Sequence, residues 1–310
     1  MKTKRFILPG LLMILLVACQ PVELEIPDST LTPVSGRQSA DSVWTLTIQA
    51  DKGIDTKALD LTNGDNTLNT YWKENETVYV YMGGTSLGTL TVKPATGEKP
   101  TTATLTGTIT TSSLHQNDEL TLYTPRIIWN YDSQNGALIG TGSIEDTHAY
   151  ASATVSVKSI DNDNHTISTS GARFTNEQSI YRFQFLLNNS ALIVKDLTIC
   201  DAAANNTLVQ KREMGSDGTW TSTPGPILVQ PTDATSGPLY VALRNENTVK
   251  DTYSFVITGP SEALYLAKKD IPASVLDKPG KFISATTIEA KQPDFTAAAS
   301  GTISNSEQVF

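Results

Sequence analysis

Residues 78–92 decide the fold class of this chain, and they read Val78-Tyr79-Val80-Tyr81-Met82-Gly83-Gly84-Thr85-Ser86-Leu87-Gly88-Thr89-Leu90-Thr91-Val92. Two stretches with the two-residue period of a strand stand on either side of a Gly-Gly turn, which is the pattern of a β-hairpin. Threonine, valine and tyrosine favour the half-buried surface of a pleated sheet. The stretch therefore predicts paired β-strands.

The same alternation recurs along most of the chain. Further strands are predicted at Val43–Ile48, Ala103–Ile109, Leu120–Tyr123, Tyr150–Val157, Ile180–Leu187, Leu192–Ile199, Leu239–Leu243, Tyr253–Ile257 and Lys281–Glu289. A short helical turn is expected in Pro260–Lys269 alone. Many short strands separated by turn residues predict an all-β chain of two tandem β-sandwich domains, 43–170 and 171–310, with a boundary near 168–171.

The N-terminus resembles a secretion signal that ends in a lipobox. Three basic residues precede an apolar run, Phe6–Val17, and Cys19 follows Ala18. The run is too short for a bilayer span, which takes about 20 residues. We therefore expect residues 1–18 to be a lipoprotein signal peptide, Cys19 to carry acyl chains such as palmitate, and the mature chain to be exported and held at first to a membrane.

Composition excludes one large class of partners. The formal net charge of −9 becomes −12 when the three basic residues of 1–18 are removed (−9 − 3). A chain this acidic lacks the electrostatic footprint of a nucleic-acid-binding protein. Cys200 is the one cysteine besides Cys19, so it has no partner for an intramolecular disulfide. Its apolar neighbours predict a small core residue.

No residue pattern predicts catalysis, a metal or a cofactor. His115, His148 and His165 are far apart in polar stretches, which predicts exposed loop positions and no metal site. The acidic turn 161–164 lacks the glycine and the terminal glutamate of a calcium loop. Neither a placed pair of carboxylates nor a nucleophile motif stands out, so the chain is predicted not to be an enzyme.

The tryptophans leave one binding function open. Trp44 lies in the alternating stretch 43–48, which predicts a core position. Trp129 and Trp220 fit either a sandwich core or a flat platform for a sugar ring. Ser29 and Ser42 each follow an aspartate in a triplet that resembles an O-glycosylation motif of exported Bacteroidetes proteins.

Several longer strings follow one another in a defined order. They are 55–59 (Asp-Thr-Lys-Ala-Leu), 71–73 (Tyr-Trp-Lys), 78–81, 87–90, 103–108, 120–126, 150–153 and 174–183. In this order, behind the lipobox, they resemble the fimbrillin family of Bacteroidetes, the subunits of type V pili, over most of residues 43–290. The resemblance implies two transthyretin-like Greek-key β-sandwich domains and export as a lipoprotein to the outer membrane.

The resemblance also implies a mechanism of assembly. An extracellular Arg/Lys-specific protease removes the first strand, and a strand from the next subunit fills the open groove. In this chain the leader, residues 19–42, offers Val22–Ile26 as the removable strand and Arg37 as the candidate cleavage site, with Lys52 and Lys57 as alternatives. The candidate donor strand lies in about 295–310, with one face formed by Phe295, Ala297, Ala299 and Ile303.

The expected function is that of a structural pilin subunit that polymerises by protease-triggered donor-strand exchange and supports adhesion. Its expected partners are copies of itself or related pilins, the protease, and, through the lipid, the outer membrane before cleavage. No cofactor is expected. Two alternatives stay open: a tip or anchor subunit of the fimbria, and a surface glycan-binding lipoprotein that uses Trp129 or Trp220.

Overall fold

A computed structural model describes residues 42–52, 71–202, 208–246, 251–272, 280 and 282–293. Within these ranges the chain is all-β, with twenty strands. Two single helical turns interrupt the strands, a π-helical turn at Ile144–His148 and a 3-10 turn at Pro260–Glu262. The all-β prediction is therefore confirmed for the described residues.

The first ten strands are β1 (Ser42–Asp51), β2 (Thr77–Met82), β3 (Thr85–Pro94), β4 (Thr102–Thr111), β5 (Glu119–Thr124), β6 (Ile128–Asn130), β7 (Ala151–Asp161), β8 (Thr166–Thr169), β9 (Ala172–Arg173) and β10 (Thr175–Asn176). All except β6 join one sheet in the order β10-β7-β5-β2-β3-β4-β1-β8, with β9 beside β1. Because β7 also pairs with β8, the sheet closes on itself.

The interior of this closed sheet is the first hydrophobic core. Side chains on one face of each strand point inward because successive residues of a strand alternate between its two faces. Six of the fully buried members are Leu46, Val80, Leu90, Leu105, Leu120 and Leu122. Each buried aliphatic side chain of this size stabilises the fold by about 1.5–3 kcal/mol.

The last ten strands are β11 (Ser179–Leu187), β12 (Ser190–Ala191), β13 (Asp196–Asp201), β14 (Val209–Met214), β15 (Trp220–Pro224), β16 (Ile227–Val229), β17 (Leu239–Leu243), β18 (Asp251–Thr258), β19 (Leu264–Ile271) and β20 (Phe282–Glu289). They form a sheet β12-β11-β17 with β20 beside β11, a sheet β16-β13-β18-β19, and a small sheet β15-β14-β6. The rings of Phe183 and Phe185 lie 5.1 and 5.4 Å from that of Phe255, so β11 packs against β18.

The second hydrophobic core draws on residues from both sides of position 170. Trp129, Tyr131, Ile144 and Tyr150 pack with the strands that follow residue 178. The pairing of β6 with β14 brings Trp129 there. The division into domains 43–170 and 171–310 stays a prediction.

The short helical turn predicted within 260–269 is confirmed, whereas the bounds of one predicted strand are wrong. In the stretch 260–269, positive φ angles at Ser261 and Glu262 (59° and 61°) end the helical turn after Pro260–Glu262. The chain then enters β19, which pairs with β18 along its whole length. The predicted strand Leu192–Ile199 begins only at Asp196, since the preceding residues make a single bridge between Val194 and Thr235.

Two hairpin turns meet through a pair of glycines. Gly84 in the β2–β3 turn and Gly218 in the β14–β15 turn both have positive φ, +85° and +77°. A Cβ atom on Gly218 would lie 1.8 Å from the Cα atom of Gly84, so the backbones touch. Beside them the Nε1 atom of Trp220 donates to the hydroxyl of Tyr123 at 3.3 Å. These contacts join the large sheet to the β14–β15 hairpin.

The side chain of Gln134 covers part of one edge of β17. Its Nε2 atom donates to the carbonyl of Ala242 at 2.8 Å, and its Oε1 atom accepts from the N–H of Ala242 at 2.8 Å. A third bond runs from Nε2 to the carbonyl of Tyr131 at 2.6 Å. The amide therefore satisfies backbone groups that are buried away from water.

Candidate functional site

The strand β1 is paired unequally on its two sides. It pairs with β4 in antiparallel fashion over ten residue pairs, from Ser42↔Thr111 to Asp51↔Thr102. On its other side it makes two parallel pairs with β8 and two with β9. We call the space that β1 fills between β4 and β8/β9 the first-strand groove. Without β1, this groove would present a row of unpaired N–H and C=O groups on β4.

Five alternate side chains of this segment point into the core. They are Trp44, Leu46, Ile48, Ala50 and Lys52, and their exposed fractions are 9%, 0%, 1%, 3% and 6%. The core position predicted for Trp44 is confirmed. The intervening side chains of β1 are exposed or half-buried. The inward face is thus four apolar side chains followed by one cation.

The ammonium group of Lys52 contacts a carboxylate, a carbonyl and an aromatic ring. Its Nζ atom lies 3.2 and 3.1 Å from the two carboxylate oxygens of Glu76 and donates to the carbonyl of Tyr71 at 3.0 Å. It also lies 4.1 Å from the centre of the Trp72 ring, a cation–π contact. Burial lowers the pKa of Lys52, and the attraction to Glu76 opposes that shift. Desolvation of the ammonium therefore affects the pKa of Lys52 more than the attraction to Glu76 does.

Glu76 is fixed by donors from three residues. Besides Lys52, it accepts a hydrogen bond from the hydroxyl of Thr124 in β5 at 2.8 Å. The backbone N–H of Lys73 donates to its other oxygen at 3.3 Å. The side chain of Lys73 points elsewhere, with Nζ 3.9 Å from Asp146. Among the described residues, Lys52 is therefore the one cation that pairs with Glu76.

This environment argues against Lys52 as a protease site. Proteases cut exposed, flexible segments. The side chain of Lys52 is buried, and its N–H donates to the carbonyl of Thr101 at 2.9 Å. The other cleavage candidates, Arg37 and Lys57, lie outside the described residues, as do Cys19 and Val22–Ile26.

The last backbone pairing of the described chain is at Lys291, two residues before Pro293. Strand β20 runs parallel to β11, and Lys291 then pairs with Leu266 of β19 through two backbone bonds of 2.8 and 2.9 Å. A proline has no N–H with which to extend such a ladder. The candidate donor residues lie beyond this point and outside the described residues; they are Phe295, Ala297, Ala299 and Ile303.

Trp129 is not available as a platform for a sugar ring. Trp129 is 0% exposed, and its ring centre lies 4.0 Å from that of Trp220. Trp220 is half-buried and also has the guanidinium of Arg212 at 4.9 Å. Arg212 and Arg244 share the carboxylate of Glu177, at 3.8 and 2.7 Å. These rings fill the second core and its margin, and the use of Trp129 as a platform is excluded.

Two predictions are wrong, that of an exposed His148 and that of a core position for Cys200. His148 is buried, 6% exposed, because the helical turn Ile144–His148 packs it against Tyr150; burial lowers its pKa. Cys200 is half-buried on the outer side of β13, opposite Ser254, and burial raises the pKa of its thiol. It was predicted to lie in the core.

The described ranges contain no group of three or more His, Cys, Asp or Glu side chains placed to hold a metal ion. In the same ranges, none of the helical segments has the length and hydropathy needed to cross a membrane.

Sequence reasoning missed the Lys52–Glu76 pair. A lysine just after a strand suggests an exposed end. The signal that points to burial is the two-residue period of the strand. Lys52 lies two residues after Ala50 and therefore continues the inward series that begins at Trp44. The sequence contained no comparable sign for Glu76 or for the network around Glu177, because their partners lie far away along the chain.

No protein-family model and no curated protein matches this chain. Solved structures do resemble it. A candidate cell adhesion protein from Bacteroides uniformis is 11% identical at a TM-score of 0.39, over 81% of this chain and 98% of that one. A fimbrial assembly protein from Parabacteroides distasonis is 10% identical at 0.38, over 81% and 95%.

The tip fimbrial protein Mfa3 from Porphyromonas gingivalis, truncated at its C-terminus, is 10% identical at a TM-score of 0.34, over 74% of this chain and 81% of that one.

Proposed function

We propose that this chain is a structural subunit of a cell-surface fimbria, a pilin of type V with two tandem transthyretin-like domains and no catalytic role. The observation that carries the proposal is the placement of β1. This strand contributes a full row of inward side chains, and it pairs over ten residues with β4 but over only two residues each with β8 and β9. Such a strand is replaceable by an equivalent strand from another chain.

Strand replacement is a form of β-augmentation. The incoming strand pairs with the backbone of β4 and places alternate side chains in the positions of Trp44, Leu46 and Ile48. Each large apolar side chain buried in this way contributes about 1.5–3 kcal/mol. Ordering the strand opposes this gain. Because the donor and acceptor surfaces differ, repeated pairing builds an open filament.

Processing determines which strand is exchanged. The proposed pilin is exported with lipid on Cys19, reaches the outer membrane and is cut by an extracellular Arg/Lys-specific protease. Cleavage after Arg37 removes the lipid and Val22–Ile26 but keeps β1. Cleavage after Lys57 also detaches β1 from the rest of the chain, and thereby makes the first-strand groove available for another chain.

The proposed donor segment is residues 295–310, which follow the last described backbone pairing at Lys291. Its inward face would present Phe295 and Ile303 with small residues between them. The filament would support adhesion at the cell surface. A tip or anchor role differs by a testable feature, since an anchor keeps its lipid.

The proposal is tested by paired substitutions in the donor segment. Ile303→Asp places a charge on the inward face, and Thr302→Asp places the same charge on the opposite face as a matched control. We expect Ile303→Asp to remove this subunit from sheared filaments, as detected with an antibody, and Thr302→Asp to leave it there. Equal incorporation of both variants would refute the donor assignment.

A further inference from the structure

The first-strand groove ends at a buried acid that needs a cation. Four of its inward positions are filled by apolar side chains of β1, and the fifth by Lys52. The carboxylate of Glu76 contacts the ammonium of Lys52 through both oxygens and has 11% of its side chain exposed. When β1 leaves, Lys52 leaves with it, and Glu76 loses the one cation that pairs with it among the described residues.

The remaining contacts of Glu76 do not replace that cation. The hydroxyl of Thr124 and the N–H of Lys73 are neutral donors. The ammonium of Lys73 lies 3.9 Å from Asp146 and 3.3 Å from the carbonyl of Glu145, and it makes no ion pair with Glu76 within the described residues. Removing one partner of a buried ion pair leaves an uncompensated charge, which is strongly unfavourable.

The candidate donor segment of this chain has no basic side chain that could pair with Glu76. Residues 292–310 contain neither lysine nor arginine. Whatever its register and direction in the groove, this segment therefore places an uncharged or acidic side chain beside Glu76. The nearest basic residue, Lys291, is held in its own domain by backbone bonds to Leu266.

Resting on the proposed strand exchange, we infer that the first-strand groove selects a strand with Lys or Arg in the position of Lys52, so that its donor is a different pilin and not another copy of this chain. The partner segment carries large apolar residues at alternate positions, a small residue at the position of Ala50, and a basic residue two places further on. Homopolymers of this subunit are disfavoured because Glu76 would then be buried without a cation.

A peptide competition experiment tests this selection. The mature chain, with a sequence-specific protease site in place of residues 54–59, is cut to free the segment that contains β1. A fluorescent copy of residues 42–52 then reports on the groove. The competitors are unlabelled 42–52, its Lys52→Met and Lys52→Arg forms, the tail 294–310, and the tail with Ile303→Lys.

We expect the Lys52→Met peptide to bind at least about 30-fold more weakly than 42–52, since truncating one side of a buried charge pair has effects of that size. Lys52→Arg should bind more tightly than Lys52→Met, and the Ile303→Lys tail more tightly than the native tail. In a chain that also carries Glu76→Gln, the difference between 42–52 and its Lys52→Met form should shrink.

The outcomes separate this inference from the proposed function. If 42–52 binds but its Lys52→Met form binds equally well, or the native tail binds as tightly as 42–52, the cation requirement is wrong while strand exchange stands. If peptide 42–52 itself does not bind, both the cation requirement and the proposed exchange of β1 are refuted. The peptide comparisons on the native groove decide the matter even if Glu76→Gln prevents folding.

Discussion

Replacing Lys52 with methionine tests whether the inward end of β1 is fixed by a buried charge. Methionine keeps the length of the side chain but removes the contacts of Nζ with Glu76, with the carbonyl of Tyr71 and with the ring of Trp72. Glu76 is left as a buried carboxylate without a counter-ion. Breaking a buried pair from one side costs about 3–5 kcal/mol.

The double variant Lys52→Met/Glu76→Gln should lose far less than the sum of the two single variants. The lowered pKa of Lys52 indicates that burying the ammonium costs more than its attraction to Glu76 returns. A neutral pair of similar shape is therefore expected to be close to the native protein in stability. The glutamine can still accept the hydrogen bond from Thr124.

Urea unfolding of the mature chain, followed by tryptophan fluorescence, measures these free energies. Lys93→Met is the matched control, since Lys93 is exposed on the outer face of β3 and its replacement should change the stability by less than about 0.5 kcal/mol. A loss for Lys52→Met as small as that of the control, or losses that simply add in the double variant, would refute the buried-pair reasoning.

Three further results are expected. Gly218→Ala should lower the melting temperature by several degrees in calorimetry, because its Cβ atom cannot fit against the opposite hairpin turn. Gln134→Met should lower the unfolding free energy by about 1–3 kcal/mol in urea, because it leaves the N–H and C=O of Ala242 buried without partners. Stability should fall as the pH rises above 10, because burial raises the pKa of Tyr181 to about 12 and that of Tyr131 further, while the unfolded chain ionises at 10.0.

Each of these has its own refutation. An unchanged melting temperature for Gly218→Ala would mean that the two hairpin turns are not in contact. A stability of Gln134→Met equal to that of the native chain would mean that the edge of β17 is satisfied in another way. For the tyrosines, an absorbance titration at 295 nm in which all ten ionise near pH 10 in the folded protein would contradict their burial.

The parts of the fold that depend on short-range pattern were predictable. The hairpin at 78–92 and the inward face of Trp44 follow from the two-residue period of a strand, which is visible in any single segment. The parallel pairings of β1 with β8 and of β11 with β20 were not predictable. They join segments more than 100 residues apart, and no local pattern specifies which distant strand becomes a neighbour.

The candidate site was predictable only in part. An exchangeable first strand was expected, but it was placed at Val22–Ile26, outside the described residues. Lys52 was considered as a cleavage site because the protease that the resemblance implies cuts after arginine or lysine. Its burial depends on Glu76, which tertiary structure alone brings into contact. His148 was misjudged for a local reason, since the helical turn Ile144–His148 turns its ring inward against Tyr150, and no helical turn was predicted there.

The N-terminus of the protein recovered from sheared cell surfaces tests the central claim most directly. Mass spectrometry of that material should show an unlipidated chain that begins after an arginine or lysine. A start at Gln38 would retain β1, and a start at Ala58 would mean that the first-strand groove is opened by cleavage. A chain that begins at acylated Cys19 would contradict the account, because the subunit would then be anchored to the membrane with its first strand in place.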